Sequence, residues 1–142
     1  WKTTMYDGGV RVPFMLRWPA MVKPGVSDVF VCQMDLLASF AGLLGQTYPD
    51  KLDSRNTLKA FLGKSKKGRE ELVIEGMFNY AYRKGDWALI PPYRKQTEYQ
   101  LYNLKEDIGQ KHNLADKYPK KVKELTDEFE ALKLSTGKKT RF

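Results

Sequence analysis

Between residues 72 and 104 the chain carries about four short runs rich in β-formers, and their close spacing limits what it can fold into. Leu72-Val73-Ile74, Tyr80 to Arg83 and Trp87 to Ile90 read as strands. Glu98 to Leu104 alternates, with Tyr99, Leu101 and Asn103 toward one face and Gln100, Tyr102 and Leu104 toward the other. Lys84-Gly85-Asp86 is a hairpin signal in which glycine supplies a positive φ. Pro91-Pro92 ends the third run. Parallel neighbours need a crossover of about a dozen residues or more, whereas two-residue turns suffice for antiparallel ones, so the pattern predicts an antiparallel sheet.

Helices flank this core. Pro119 suits a first helical turn. Val122, Leu125, Phe129 and Leu132 then follow at helical spacing, and Gly137 is the expected stop. Burying that stripe, worth about 1.5–3 kcal/mol per large side chain, outweighs the unfavourable lysines 120, 121 and 123 near the helix N-terminus. Earlier, Asp35 reads as an N-cap. Leu36, Leu37, Phe40, Leu43 and Leu44 form one stripe that a helix should bury, with Gly45 as its stop. Residues 57–62 make at most a short helix. Residues 10–18 read as a strand that Pro13 confines to an edge or bulge, and Val29 to Val31 as a short strand. The fold class is therefore α+β, a small antiparallel sheet of about four strands packed against helices.

The length of 142 residues suits one domain. No apolar run approaches the roughly 18 residues of a membrane span, so no membrane partner is expected. The net charge of +8 gathers in Lys64 to Arg69, Lys117 to Lys123 and Lys138 to Arg141. That balance suits polyanions, although each cluster also reads as a solvated loop or tail. No aromatics interleave with the lysines, which argues against specific nucleic-acid binding. Cys32 is the single cysteine, so no internal disulfide exists. It sits in an apolar run without a cation within three residues, the setting of a structural thiol. His112 lies in the polar stretch Gln110-Lys111-His112-Asn113 and reads as an exposed loop residue. Neither a Ser-His-Asp set, nor a Walker-type loop, nor a metal-ligand spacing is present, so the chain does not hold a complete catalytic constellation.

The first residues read differently. Lys2-Thr3-Thr4-Met5-Tyr6-Asp7-Gly8-Gly9-Val10-Arg11-Val12-Pro13 places a lysine before a tight Gly-Gly turn, whose amides can form an anion-binding concavity. By chemistry alone Lys2 is no more than a solvated lysine. With no lead-in element before it, the chain is read as a fragment beginning at the edge of an active site. This run, continued by Phe14 and Arg17-Trp18-Pro19, resembles the second signature region of the type I sulfatases (arylsulfatases), with Asp7 for the usual Glu and Ala20 for the usual Gly. Val31 to Ala41 resembles the family's Asp-Leu-Leu-Pro-Thr helix. Arg83 to Ile90 resembles its Arg-x-Gly-x-Trp-Lys-Leu-Ile hairpin. Glu98 to Ala115 resembles its Glu-Leu-Tyr-Asp-Leu segment and the Asn-Leu-Ala that follows. The four motifs occur in family order.

The resemblance implies the C-terminal portion of a sulfuric ester hydrolase with an alkaline-phosphatase-like fold. Residues 1–26 would end the catalytic domain and residues 27–142 form the C-terminal α+β subdomain. The intact enzyme would hydrolyse sulfate monoesters of a small molecule or glycan. It would use a formylglycine and a divalent cation, calcium, both in a missing N-terminal part, so the fragment alone is expected to be inactive. Lys2 matches the sulfate-binding lysine, with Asp7, Gly8, Gly9 and Arg11 supporting its loop. Asn79, Tyr80, Tyr82, Arg83 and Tyr93 are candidates for the pocket rim, each equally readable as surface or hairpin packing. Periplasmic, secreted or lysosomal location follows by resemblance. Two other readings stand beside this one: a basic polyanion-binding module, and a purely structural subdomain whose edge strand, residues 10–18, would leave it prone to self-association.

Overall fold

A computed structural model describes residues 4–49, 52–76 and 79–135. In chain order its elements are α1 (Asp7–Val10), α2 (Asp35–Leu43), α3 (Leu58–Phe61), β1 (Glu71–Glu75), β2 (Tyr80–Lys84), β3 (Trp87–Ile90), β4 (Gln100–Asn103) and α4 (Pro119–Ser135). They fall into two compact units: residues 13–70, and the residues through Val12 together with those from Glu71 onward. Among the described residues no helix is long and apolar enough to cross a membrane.

The second of these units is a four-stranded antiparallel meander in the order β1-β2-β3-β4. Gly85 takes φ +55° as the first of the two residues joining β2 to β3, the position that a type II′ hairpin reserves for glycine. The period of two sorts side chains onto two faces. Tyr82 lies opposite Leu89, and Leu89 opposite Leu101. All three are fully buried with Leu125 and Phe129 of α4. The other face gathers Ala81, Ala88, Ile90, Tyr102 and Leu104 around Met5 from the chain's start. The sheet is thus covered on both sides, by α4 on one and by the signature segment on the other. The stripe of α4 and the faces of β4 lie as their spacing predicts; Gly137 is outside the described residues.

Residues 13–70 depart from the sequence expectations. No strand forms at 10–18: Val10 closes α1, and residues 11–18 run without ladder partners and are exposed. Val29 to Val31 forms no strand either. Helix α2 is inverted relative to its stripe. Leu37, Phe40, Leu43 and Leu44 are exposed, whereas Asp35 and Ser39 have no exposure at all. Asp35 is not an N-cap. Its carboxylate pairs with the Arg69 guanidinium, itself buried, and accepts the Arg55 amide at 2.8 Å. Ser39 Oγ accepts the Thr57 amide at 3.0 Å, and Ser54 Oγ the Ala38 amide at 3.0 Å. A buried charge is tolerated only when paired and hydrogen-bonded, so this network, not the leucines, fastens α2. Gly68 is required here: a Cβ on it would meet the Phe30 carbonyl oxygen at 2.1 Å. Cys32 is half-buried.

Candidate functional site

The signature segment is fastened to the sheet at three levels. Tyr6 Oη donates to Gln100 Oε1 at 2.9 Å, and Tyr102 Oη donates to the same oxygen at 3.0 Å. Burial, with Tyr6 alongside, pushes the Tyr102 phenol up to about 12. The Asp7 amide donates to Gln110 Oε1, and Gln110 is itself buried with φ +49°, rare for a residue bearing a Cβ. The Asp7 carboxylate, 8% exposed, accepts from Arg83 Nη1 at 3.4 Å and lies 3.7 Å from Arg11 Nη1. Burial lowers the Arg83 guanidinium from its ordinary value, and the Asp7 charge opposes that.

The Gly8-Gly9 pair is not a tight turn of the expected kind. Both residues lie inside α1, a single turn in which Gly9 N–H donates to the Tyr6 carbonyl at 2.8 Å and Arg11 N–H to the Asp7 carbonyl at 2.7 Å. A Cβ at position 8 would meet nothing within 4 Å, so glycine there is not demanded by crowding within the chain. Lys2 lies outside the described residues.

The five rim candidates separate. Arg83 joins Asp7 and Arg11 on the face that carries Met5. Tyr80 and Tyr82 are on the opposite face, against Phe129, with ring centroids 5.8 and 6.1 Å from it. Tyr82 is fully buried, and its hydroxyl donates to Glu71 at 2.7 Å; burial first, and then that hydrogen bond, hold its phenol far above the ordinary value. Further protein around this chain can only bury it more, so Tyr82 is a core residue and not a rim residue. The Asn79 carbonyl accepts the Gly76 amide at 2.9 Å beside β1. Tyr93 exchanges two backbone hydrogen bonds with Gln96, closing a turn. Gln100 and Gln110, which hold the segment, were not among the sequence candidates. Gln100 was visible only as a polar residue on the buried face of an alternating strand.

His112 is exposed, with Nδ1 3.5 Å from Asp107. The amides of His112 and Lys111 donate to the Asp107 carboxylate and hold it below its ordinary range, a loop-closing role. Among the described residues, no group of three or more His, Cys, Asp and Glu side chains gathers to hold a metal ion.

A family model described as N-sulphoglucosamine sulphohydrolase, C-terminal, matches residues 1–135. N-acetylgalactosamine-6-O-sulfatase of Bacteroides thetaiotaomicron is 36% identical over 148 residues, which take in 93% of this chain and 29% of that protein. A solved structure from work on glycosaminoglycan metabolism in Bacteroides thetaiotaomicron superposes with a TM-score of 0.84 at 34% identity, covering 93% of this chain and 31% of that one. Another, solved in complex with its substrate D-glucosamine-2-N,6-O-disulfate, has a TM-score of 0.75 at 23% identity and covers 96% of this chain and 31% of that one, a likeness of fold. The chain thus spans less than a third of the length of these proteins.

Proposed function

The chain belongs to the sulfatase family and is the C-terminal domain of such an enzyme; from that premise we propose that the intact enzyme hydrolyses sulfate monoesters on a sulfated glycan. The matches do not favour a free-standing polyanion-binding module or a purely structural unit. One observation carries the reading furthest: the signature segment that continues from Lys2 is tied to the sheet through Tyr6, Met5 and Asp7, so the small domain serves as a mount for it.

In this reading Lys2 binds the sulfate and stabilises charge on the transferring group, a preorganised electrostatic role. Asp7, with Arg83 and Arg11, positions the loop that follows Lys2, of which Gly8 and Gly9 are part. Asn79, Arg83 and Tyr93 remain candidates for the rim. Residues 1–26 close the catalytic domain and residues 27–142 follow it. A formylglycine and a divalent cation, calcium, would be held by the portion of the enzyme outside this chain, and would supply a nucleophilic oxygen and charge neutralisation there. A relative named N-acetylgalactosamine-6-O-sulfatase supports a sulfated amino sugar as the substrate class.

The test is sulfate release from a 6-O-sulfated amino-sugar glycan by the intact enzyme. Lys2→Ala is expected to lower kcat/KM by about 10²–10³, the usual effect of removing one preorganised donor. An unchanged rate would remove Lys2 from the site.

A further inference from the structure

Of residues 105–113, which follow β4, Gln110 alone is buried; Asp107 is half-buried and the others are exposed. Its backbone is as unusual as its burial. Gln110 sits at φ +49°, in the left-handed region that a residue with a Cβ rarely adopts. Such a conformation is strained, and it persists only where the surroundings enforce it.

Here the loop itself enforces it. The Asn103 carbonyl accepts the amides of Glu106 and Asp107 at 3.2 and 2.8 Å and fixes the start of the loop. The Gln110 amide donates to the Asp107 carbonyl at 3.0 Å. The next two amides, of Lys111 and His112, both donate to the Asp107 carboxylate at 2.8 Å. Leu114 N–H then donates to the Leu101 carbonyl at 2.8 Å and returns the chain to β4. The backbone is thus bent so that one polar side chain is turned inward from an exposed loop.

That side chain meets the signature segment. Gln110 Oε1 accepts the amide of Asp7, the first residue of α1. The first amides of a helix have no partner within it, and Tyr6, just before α1, gives them no side-chain hydrogen bond. With four residues, α1 is too short to hold its shape in water by its own bonds. Met5 and Tyr6 anchor the segment ahead of the turn. Side-chain contacts reach the backbone only through rotatable bonds, whereas the Gln110 contact fixes a peptide plane directly.

We propose that Gln110 is a positioning residue of the sulfatase reaction: through the Asp7 amide it sets the orientation of the turn that follows Lys2, and the strained loop after β4 is built to present it. The inference rests on the reading of Lys2 as the sulfate-binding residue. Gln110 acts through the placement of that lysine, because stabilisation of the transferring group depends steeply on where the charge stands.

The test compares Gln110→Gly and Gln110→Glu in the intact enzyme. Glycine takes φ +49° without strain, so the loop keeps its fold while the acceptor oxygen is lost. Glutamate keeps an acceptor oxygen at the same reach. With a 6-O-sulfated amino-sugar glycan, Gln110→Gly is expected to lower kcat by about 10²-fold, the scale of a slight misplacement, and to change KM far less. Hydrogen exchange read by mass spectrometry should show residues 4–12 exchanging about tenfold faster, the equivalent of one hydrogen bond, with β2 and β3 unchanged. Gln110→Glu should restore both. The proposal is overturned by an unchanged kcat in Gln110→Gly, by unchanged exchange at residues 4–12, or by faster exchange spread through the sheet. It is equally overturned if Gln110→Glu is as impaired as Gln110→Gly. The two readings fail separately. Sulfate release indifferent to Gln110→Gly keeps the sulfatase reading and loses the positioning role. A wild-type enzyme that releases no sulfate, while exchange at residues 4–12 still depends on Gln110, loses the sulfatase reading and keeps Gln110 as the holder of the turn.

Discussion

At the scale of single residues, Asp7 is the centre of the signature segment. Its side chain is almost fully buried and shared by two arginines, and its own amide is held by Gln110. Removing a carboxylate from beside a guanidinium that is largely out of water leaves that cation poorly compensated, and costs about 1–3 kcal/mol. Asp7→Ala is therefore expected to lower the urea midpoint of the 142-residue chain by that equivalent, and Asp7→Glu, which keeps the carboxylate, by clearly less. Identical midpoints for the wild type and Asp7→Ala would show that the Arg83 contact holds nothing in place. Little of this was legible beforehand. The motif pointed to the segment, but Gln110 meets Asp7 across 103 positions, and no local pattern signals a glutamine at positive φ.

At the scale of elements, legibility followed locality. The β2–β3 hairpin is set by Gly85, and α4 by a stripe whose partners, Tyr82, Leu89 and Leu101, form a buried face of the adjacent sheet. In both cases nearby residues carried the whole signal. For α2 the stripe was real, but periodicity says only that the apolar residues share a face, not which face the chain itself covers. The Asp35–Arg69 pair, joining residues 34 positions apart, decided that question, and it also overrode the local N-cap rule at Asp35. Residues 10–18 alternate like a strand, yet a strand needs a neighbour to pair with, and none of the described residues supplies one.

An inverted ranking of substitutions follows for α2. Leu37→Ser and Leu44→Ser, at exposed positions, should change the stability of the chain by no more than about 0.5 kcal/mol. Asp35→Ala, which leaves the Arg69 guanidinium buried without that carboxylate, should cost about 3–5 kcal/mol. Chemical denaturation of the three variants measures this directly. Leucine substitutions that destabilise more than Asp35→Ala would mean that the stripe faces the core.

At the scale of the whole molecule, the exposed apolar side chains of residues 13–70 set the behaviour of the chain in isolation. Phe14, Met15, Leu16, Phe40 and Leu44 are each at least 42% exposed. Large apolar side chains left in water favour association with another apolar surface. The sedimentation coefficient of the chain should rise with concentration, and polar replacements at Phe14, Met15 and Leu16 should flatten that rise. A monomer at every concentration would count against it. The domain's fold and family were readable from four ordered motifs, but its division was not: the unit that carries the signature segment is completed by residues from Glu71 onward, a pairing that no boundary signal in the sequence marks.

On the reading proposed above, this chain mounts the signature segment of a sulfatase and does not turn over substrate without the rest of the enzyme. Sulfate release from a 6-O-sulfated amino-sugar glycan, assayed side by side for the intact enzyme and for the 142-residue chain, tests it most directly. Turnover is expected from the intact enzyme and none from the chain alone. Lys2-dependent turnover by the isolated chain, or no sulfate release by the intact enzyme, would contradict it.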